Sequence, residues 1–131
     1  MSNWVWVSGG AHRLGREICL AFAKAGWSVV VHYRQSPQAA QAVVDECLAL
    51  GVQAMSVHAD LGQPADIAAM CARLQDQLGL KLRCVVNNAS LFEHDDAQSF
   101  SYVALEAHLR SNTGAPILLS QALHAHVQER L

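Results

Sequence analysis

The chain has 131 residues, 52% of them hydrophobic and 15% charged, and nine basic residues against eleven acidic give a formal net charge of -2. That length fits one domain spanning residues 1–131, the apolar content excludes a disordered chain, and the near-even charge excludes a general nucleic-acid binder. No apolar run reaches the roughly 20 residues that cross a bilayer, and Met1 to Val7 carries no basic leader, so a soluble cytoplasmic protein is expected.

Trp4 to Val7 is a short run of β-formers ending at Ser8-Gly9-Gly10. From there Leu14, Ile18, Ala21, Phe22 and Ala25 fall on one helical face, and Gly26 stops that helix. Ser28 to Tyr33, with Val29-Val30-Val31, predicts a second strand. Ser36-Pro37 reads as a cap and first-turn proline for a helix with Ala40, Val43, Val44, Cys47 and Leu48 inward, ending at Gly51. Val52 to Ala59 predicts a third strand, and Asp60-Leu61-Gly62 a loop. Pro64 opens a third helix with Ile67, Met70, Cys71, Leu74 and Leu78 inward, stopped by Gly79. Leu82 to Asn87 predicts a fourth strand, and a polar loop from Asn88 to Ser99 carries the acidic cluster Glu93, Asp95 and Asp96. From about Ser101 to Leu131 the pattern is helical, with Pro116 expected to kink or split it by removing an internal hydrogen bond.

The order β-α-β-α-β-α-β-α predicts an α/β protein with a Rossmann-type, doubly wound parallel sheet in three layers, α/β/α, and strand order 3-2-1-4. Its ligand crevice lies at the C-terminal strand ends, between strands one and four. The four cysteines, Cys19, Cys47, Cys71 and Cys84, include no C-x-x-C pair and read as free thiols. No metal site is expected: His124 and His126 stand two apart on a helix, and His94 lies in the acidic, solvated loop.

The loops at the strand ends carry the chemistry. Ser8-Gly9-Gly10-Ala11-His12-Arg13-Leu14-Gly15 runs into a helix, where glycines let the backbone approach a phosphate and the helix N-terminus favours an anion. An ordinary Gly-rich turn has the same composition, and the loop departs from G-x-G-x-x-G because Arg13 stands where a third glycine is expected. After strand two, an acid roughly 20 residues beyond the glycines would mark an unphosphorylated dinucleotide. Here the residues are His32-Tyr33-Arg34-Gln35-Ser36, with no acid before Asp45. Arg34 and Ser36 suit a 2′-phosphate, with Arg13 adding positive charge, against the plainer use of Arg34 as a solvated loop residue. Asp60-Leu61 suits an adenine, or a turn or helix cap. Asn87-Asn88-Ala89-Ser90 places two amides and a small residue beside the crevice.

Together with Asn112, these strings resemble the short-chain dehydrogenase/reductase family, whose elements are T-G-x-x-x-G-x-G, an Asp after strand three, N-N-A-G and a helix-four Asn. Arg13 replaces a family glycine and Ser90 the glycine of N-N-A-G, and with His32-Tyr33-Arg34 and Phe92 they resemble the pteridine reductase and dihydromonapterin reductase branch. The resemblance implies NADPH as cofactor, held by Gly9, Arg13, Leu14 and Gly15 at the pyrophosphate and ribose. It implies Tyr33, Arg34 and Ser36 at the 2′-phosphate, Asp60 and Leu61 at adenine, and Asn87 and Ala89 near the ribose. Ser90 and Phe92 would line the pocket of a small-molecule substrate, a pterin or another carbonyl or imine compound. Phe92 would stack on a flat heterocycle, although a core or interface aromatic fits equally. Asn112 would support a proton relay, or bond a backbone group freed by the kink.

Family catalysis also uses a serine and Tyr-x-x-x-Lys. Tyr33 is followed four residues on by Pro37 and Tyr102 by Glu106, so that element is absent from the chain. By the resemblance it would lie just beyond Leu131. The expectation is therefore the N-terminal half of an NADPH-dependent reductase, truncated after helix four and inactive alone. The alternative is a non-catalytic nucleotide-binding subunit needing a partner or the missing half. The complete protein is expected to form a homo-oligomer.

Overall fold

A strand buried on both faces must supply two sets of apolar side chains, because successive residues point to opposite sides. The computed structural model describes residues 3–93 and 96–128, without the side chains of His126 and Gln128. In it, β1 (Trp4–Val7), β2 (Ser28–Tyr33), β3 (Ala54–His58) and β4 (Leu82–Val86) form one parallel sheet in the order β3-β2-β1-β4. Trp4 and Trp6 point to one face, where they pack with Val30 and Val57 against Ile67, Met70 and Leu74 of α3 (Pro64–Leu78) and Leu119 of α5 (Ala115–Gln128). Val5 and Val7 point to the other, with Val29 and Val31, against Cys19, Leu20 and Ala23 of α1 (Arg13–Lys24) and Val43, Val44 and Cys47 of α2 (Pro37–Ala49). The three-layer, doubly wound architecture and the 3-2-1-4 order are those read from the sequence.

Local details differ. Ladder pairing of β3 begins at Ala54 rather than Val52, since the Gln53 amide donates to the Ser28 hydroxyl at 3.2 Å. Ser36 sits at the N-cap of α2 with Pro37 behind it, yet its hydroxyl makes no capping bond. The inward stripe of α2 closes at Cys47, and Leu48 in the last turn is exposed. Cys71 is half-buried, and a short 3-10 turn, Gly79–Lys81, joins α3 to β4, which stops at Val86 rather than Asn87. All four cysteines are free, and burial pushes the Cys19 thiol up to about 12.

The proline signal resolves as a π-helical turn, Arg110–Gly114, between α4 (Tyr102–Leu109) and α5. A proline ring at 116 would press on the carbonyl four residues back, and the wider turn relieves that pressure without breaking the helical run. His94 and Asp95 of the acidic loop, and residues 129–131 of the expected last helix, lie outside the described residues.

Candidate functional site

All four strands deliver their C-terminal ends to one cleft of about 400 Å³. Its first wall is the loop from β1 into α1. Gly9 has φ 64, a backbone region open to glycine, and its missing Cβ lets Ala89 approach closely. Gly15, in the first turn of α1, is buried against the same loop. A Cβ there would collide with the Gly9 carbonyl oxygen and stand 2.7 Å from the Asn88 carboxamide. No side chain caps α1 at His12, so the helix presents its N-terminus to the cleft without a carboxylate competing for its amides.

Arg13 has φ 47, the one positive φ on a non-glycine among the described residues. A side chain in that region costs about 1 kcal/mol or more, which gives the physical reason for a glycine there and marks arginine as a choice that carries strain. Arg13 and Leu14 are exposed and line the cleft.

The second wall is Tyr33, Arg34, Gln35 and Ser36, and the third is Ala59, Asp60 and Leu61. Arg34 Nε lies 4.0 Å from Asp60 Oδ1, an exposed pair worth little by itself. The same oxygen accepts the Gly62 N–H at 2.9 Å, so Asp60 shapes its own turn, while Asp66 accepts from the Asp60 N–H at 3.0 Å. Arg13 and Arg34 bring two guanidinium groups to the cleft against this one carboxylate.

A hydrogen-bond frame holds the walls in register. Ser8 Oγ accepts from the amides of Asn88 and Ala89, both at 3.0 Å, and donates to the Val86 carbonyl at 3.4 Å. The Asn88 carboxamide donates to the carbonyls of Ser8 and Gly9 at 3.2 and 3.1 Å. His32 Nδ1 accepts from the Gly9 N–H at 2.9 Å, and Nε2 lies 2.9 Å from the Ala59 carbonyl. Burial, with a smaller push from His58, holds the His32 pKa below its usual 6.5 against the opposing pull of that carbonyl.

The cleft thus brings together Gly9, Arg13, Leu14, Gly15, Tyr33, Arg34, Ser36, Asp60, Leu61, Ala89 and Ser90. Three expected residues stand outside its walls. Asn87 turns its carboxamide to the Ser120 hydroxyl of α5 at 3.1 Å. Phe92 is 85% exposed. Asn112, in the π turn, accepts from the Leu91 N–H at 2.6 Å and donates to the Leu91 carbonyl at 2.7 Å, so it clamps the loop after β4 rather than mending the helix. His108 of α4 accepts from the Glu93 N–H at 3.2 Å and holds the same loop one step further on.

Sequence reasoning missed the frame itself: Ser8, His32 as a bridge, and Asn88 as a tie. The available signal was a polar residue embedded in an apolar strand, since His32 follows three consecutive valines and is 2% exposed.

The profile of the short chain dehydrogenase family matches residues 3–130. The 3-oxoacyl-[acyl-carrier-protein] reductase FabG of Staphylococcus aureus is 34% identical over 91 residues, covering 70% of this chain and 37% of that protein. A short-chain dehydrogenase from Burkholderia cenocepacia, solved in complex with NADP, superposes with a TM-score of 0.87 at 30% identity, covering 95% of this chain and 50% of that one. The FolM alternative dihydrofolate reductase 1 of Brucella canis, complexed with NADP, gives a TM-score of 0.85 at 28% identity over 95% of this chain and 49% of that one. The chain therefore spans about half the length of the solved structures it matches, and 37% of FabG.

Proposed function

The chain belongs to the short-chain dehydrogenase family, and from that premise we propose that it is the cofactor-holding half of an NADPH-dependent oxidoreductase. One observation carries the cofactor choice. The loop after β2 offers Arg34 and Ser36 to the same cleft as the glycine loop, and it contains no acid to repel a 2′-phosphate. The uncapped N-terminus of α1 suits a pyrophosphate, and the missing side chains of Gly9 and Gly15 let the loop before it pack closely on Ala89 and on the Gly9 carbonyl.

In this reading Gly9, Gly15 and Leu14 border the pyrophosphate and its ribose, and Arg13 supplies charge. Tyr33, Arg34 and Ser36 hold the 2′-phosphate, Asp60 and Leu61 meet the adenine, and Ala89 borders the cofactor ribose region. Asn87 supports that last segment through Ser120. Bound NADPH supplies a hydride. Ser90 borders the small-molecule substrate, and Asn112 orders the adjoining loop through Leu91. The substrate is a pterin or another carbonyl or imine compound. Arg13, Ser90 and the His32-Tyr33-Arg34 string support the pterin, as does likeness to FolM, while likeness to FabG supports the wider carbonyl class.

The test is Arg34→Asp, with NADPH and NADH affinities measured by fluorescence titration. A charge-assisted bond to a phosphate is worth about 1.5–3 kcal/mol, so NADPH affinity is expected to fall roughly tenfold or more while NADH affinity holds or improves. An unmoved preference would sink the phosphate assignment.

A second reading, a nucleotide-binding subunit completed by a partner, is supported by β4 standing at an edge of the sheet among the described residues.

A further inference from the structure

The geometry points to His32 as the residue that positions the glycine loop, a role that rests on the cofactor reading above for its functional meaning. His32 ends the run Val29-Val30-Val31 and is buried with both ring nitrogens engaged. A backbone N–H can only donate, so the Gly9 amide fixes Nδ1 as the bare acceptor. Nε2 then carries the proton and donates it to the Ala59 carbonyl. The ring is thereby a neutral imidazole of one defined tautomer.

This one side chain joins three walls of the cleft. It grips the loop after β1 at Gly9, belongs to the end of β2, and grips the end of β3 at Ala59, next to Asp60. Its own carbonyl accepts the Gly10 N–H at 2.9 Å, so two consecutive loop amides are committed to one residue. Gly9 and Gly10 therefore have no N–H to offer an anion. The phosphate must be met further along, at the N-terminus of α1, and His32 sets where that terminus stands. An apolar side chain at 32 would fill the space but leave the Gly9 N–H and the Ala59 carbonyl without partners under the cleft. A carboxamide keeps one acceptor and one donor at a spacing close to that of the two ring nitrogens, so glutamine is the conservative replacement.

The experiment compares the wild-type chain with His32→Ala and His32→Gln. First, ¹⁵N NMR of the wild type reads the His32 tautomer and the coupling between the Gly9 amide nitrogen and Nδ1. Hydrogen exchange at Gly9 and NADPH titration then follow on all three proteins. The expected result is a bare Nδ1 coupled to Gly9, faster Gly9 exchange in His32→Ala, about tenfold or more weaker NADPH binding in that variant, and recovery of both in His32→Gln. A proton on Nδ1, or Gly9 exchange unchanged by His32→Ala, overturns the inference. Recovery absent in a folded His32→Gln overturns it as well. Should His32→Ala not fold, the coupling and the glutamine variant decide. Should the wild type bind no NADPH, the cofactor reading fails by itself, and the positioning role is judged on the coupling and on Gly9 exchange.

Discussion

At the scale of single residues, the cleft depends on two backbone conditions and one protonation state. Gly15 is fixed by contact, because any side chain there meets the Gly9 carbonyl, and only the coordinates show that neighbour. Arg13 was legible only as a departure; its positive φ shows what the departure costs. The state of His32 gives stability a pH dependence. Its folded pKa is held below 6.5 by burial, with His58 on β3 adding to the depression, so as pH falls the unfolded chain takes up the proton first. The contribution of His32 is complete above about 6.5 and is lost as pH drops from there through the depressed folded value. Urea midpoints measured between neutral and mildly acidic pH should therefore fall more steeply for the wild type than for His32→Gln, which has no group to titrate. Parallel slopes would mean that His32 does not remain neutral in the folded chain.

At the scale of elements, β1 is the hinge of the design. Its alternating tryptophans and valines feed two separate cores, one under α3 and α5 and the other under α1 and α2. Leu74 of α3 is fully buried in the first of these, and Leu74→Ala should cost about 2–5 kcal/mol, read as a lowered urea midpoint with the m-value unchanged. A loss below about 0.5 kcal/mol would show that α3 is not held by that core. The α4–π–α5 run has a different task. Its π turn carries Asn112, which ties the loop after β4 by both backbone groups of Leu91, and His108 adds a tie at Glu93. Pro116 was readable in the sequence; the loop that Asn112 ties was not, because Leu91 lies 21 residues from Asn112.

At the scale of the whole molecule, the chain carries a cleft at the strand ends, and among the described residues β3 and β4 are the edges of the sheet, with apolar side chains exposed on the helices that follow β4. Tyr102, Val103 and Ile117 are each more than half exposed. Such a surface favours further pairing or cover. The proton-transfer pair of the family has no counterpart among the 131 residues, so binding and turnover should separate. Purified chain of verified mass is expected to bind NADPH weakly and to leave its absorbance unchanged when a dihydropterin is added. Sustained NADPH oxidation under those conditions would overturn this expectation and require a proton donor other than a family tyrosine.

The sequence by itself determined the alternation of strands and helices, through short-range periodicity and turn residues, and with the rules for parallel crossovers it carried the 3-2-1-4 order; most residues of the cleft were named through the family resemblance of the strand-end strings. Tertiary structure alone decided which polar groups hold the cleft together. Ser8 meets Asn88 across 80 residues and His32 meets Gly9 across 23, and hydrogen bonds at that separation leave no periodic trace in the chain. It also turned Asn87 toward Ser120 and left Phe92 in solvent, since a side chain's direction is set by the neighbours available to it rather than by its place in a motif.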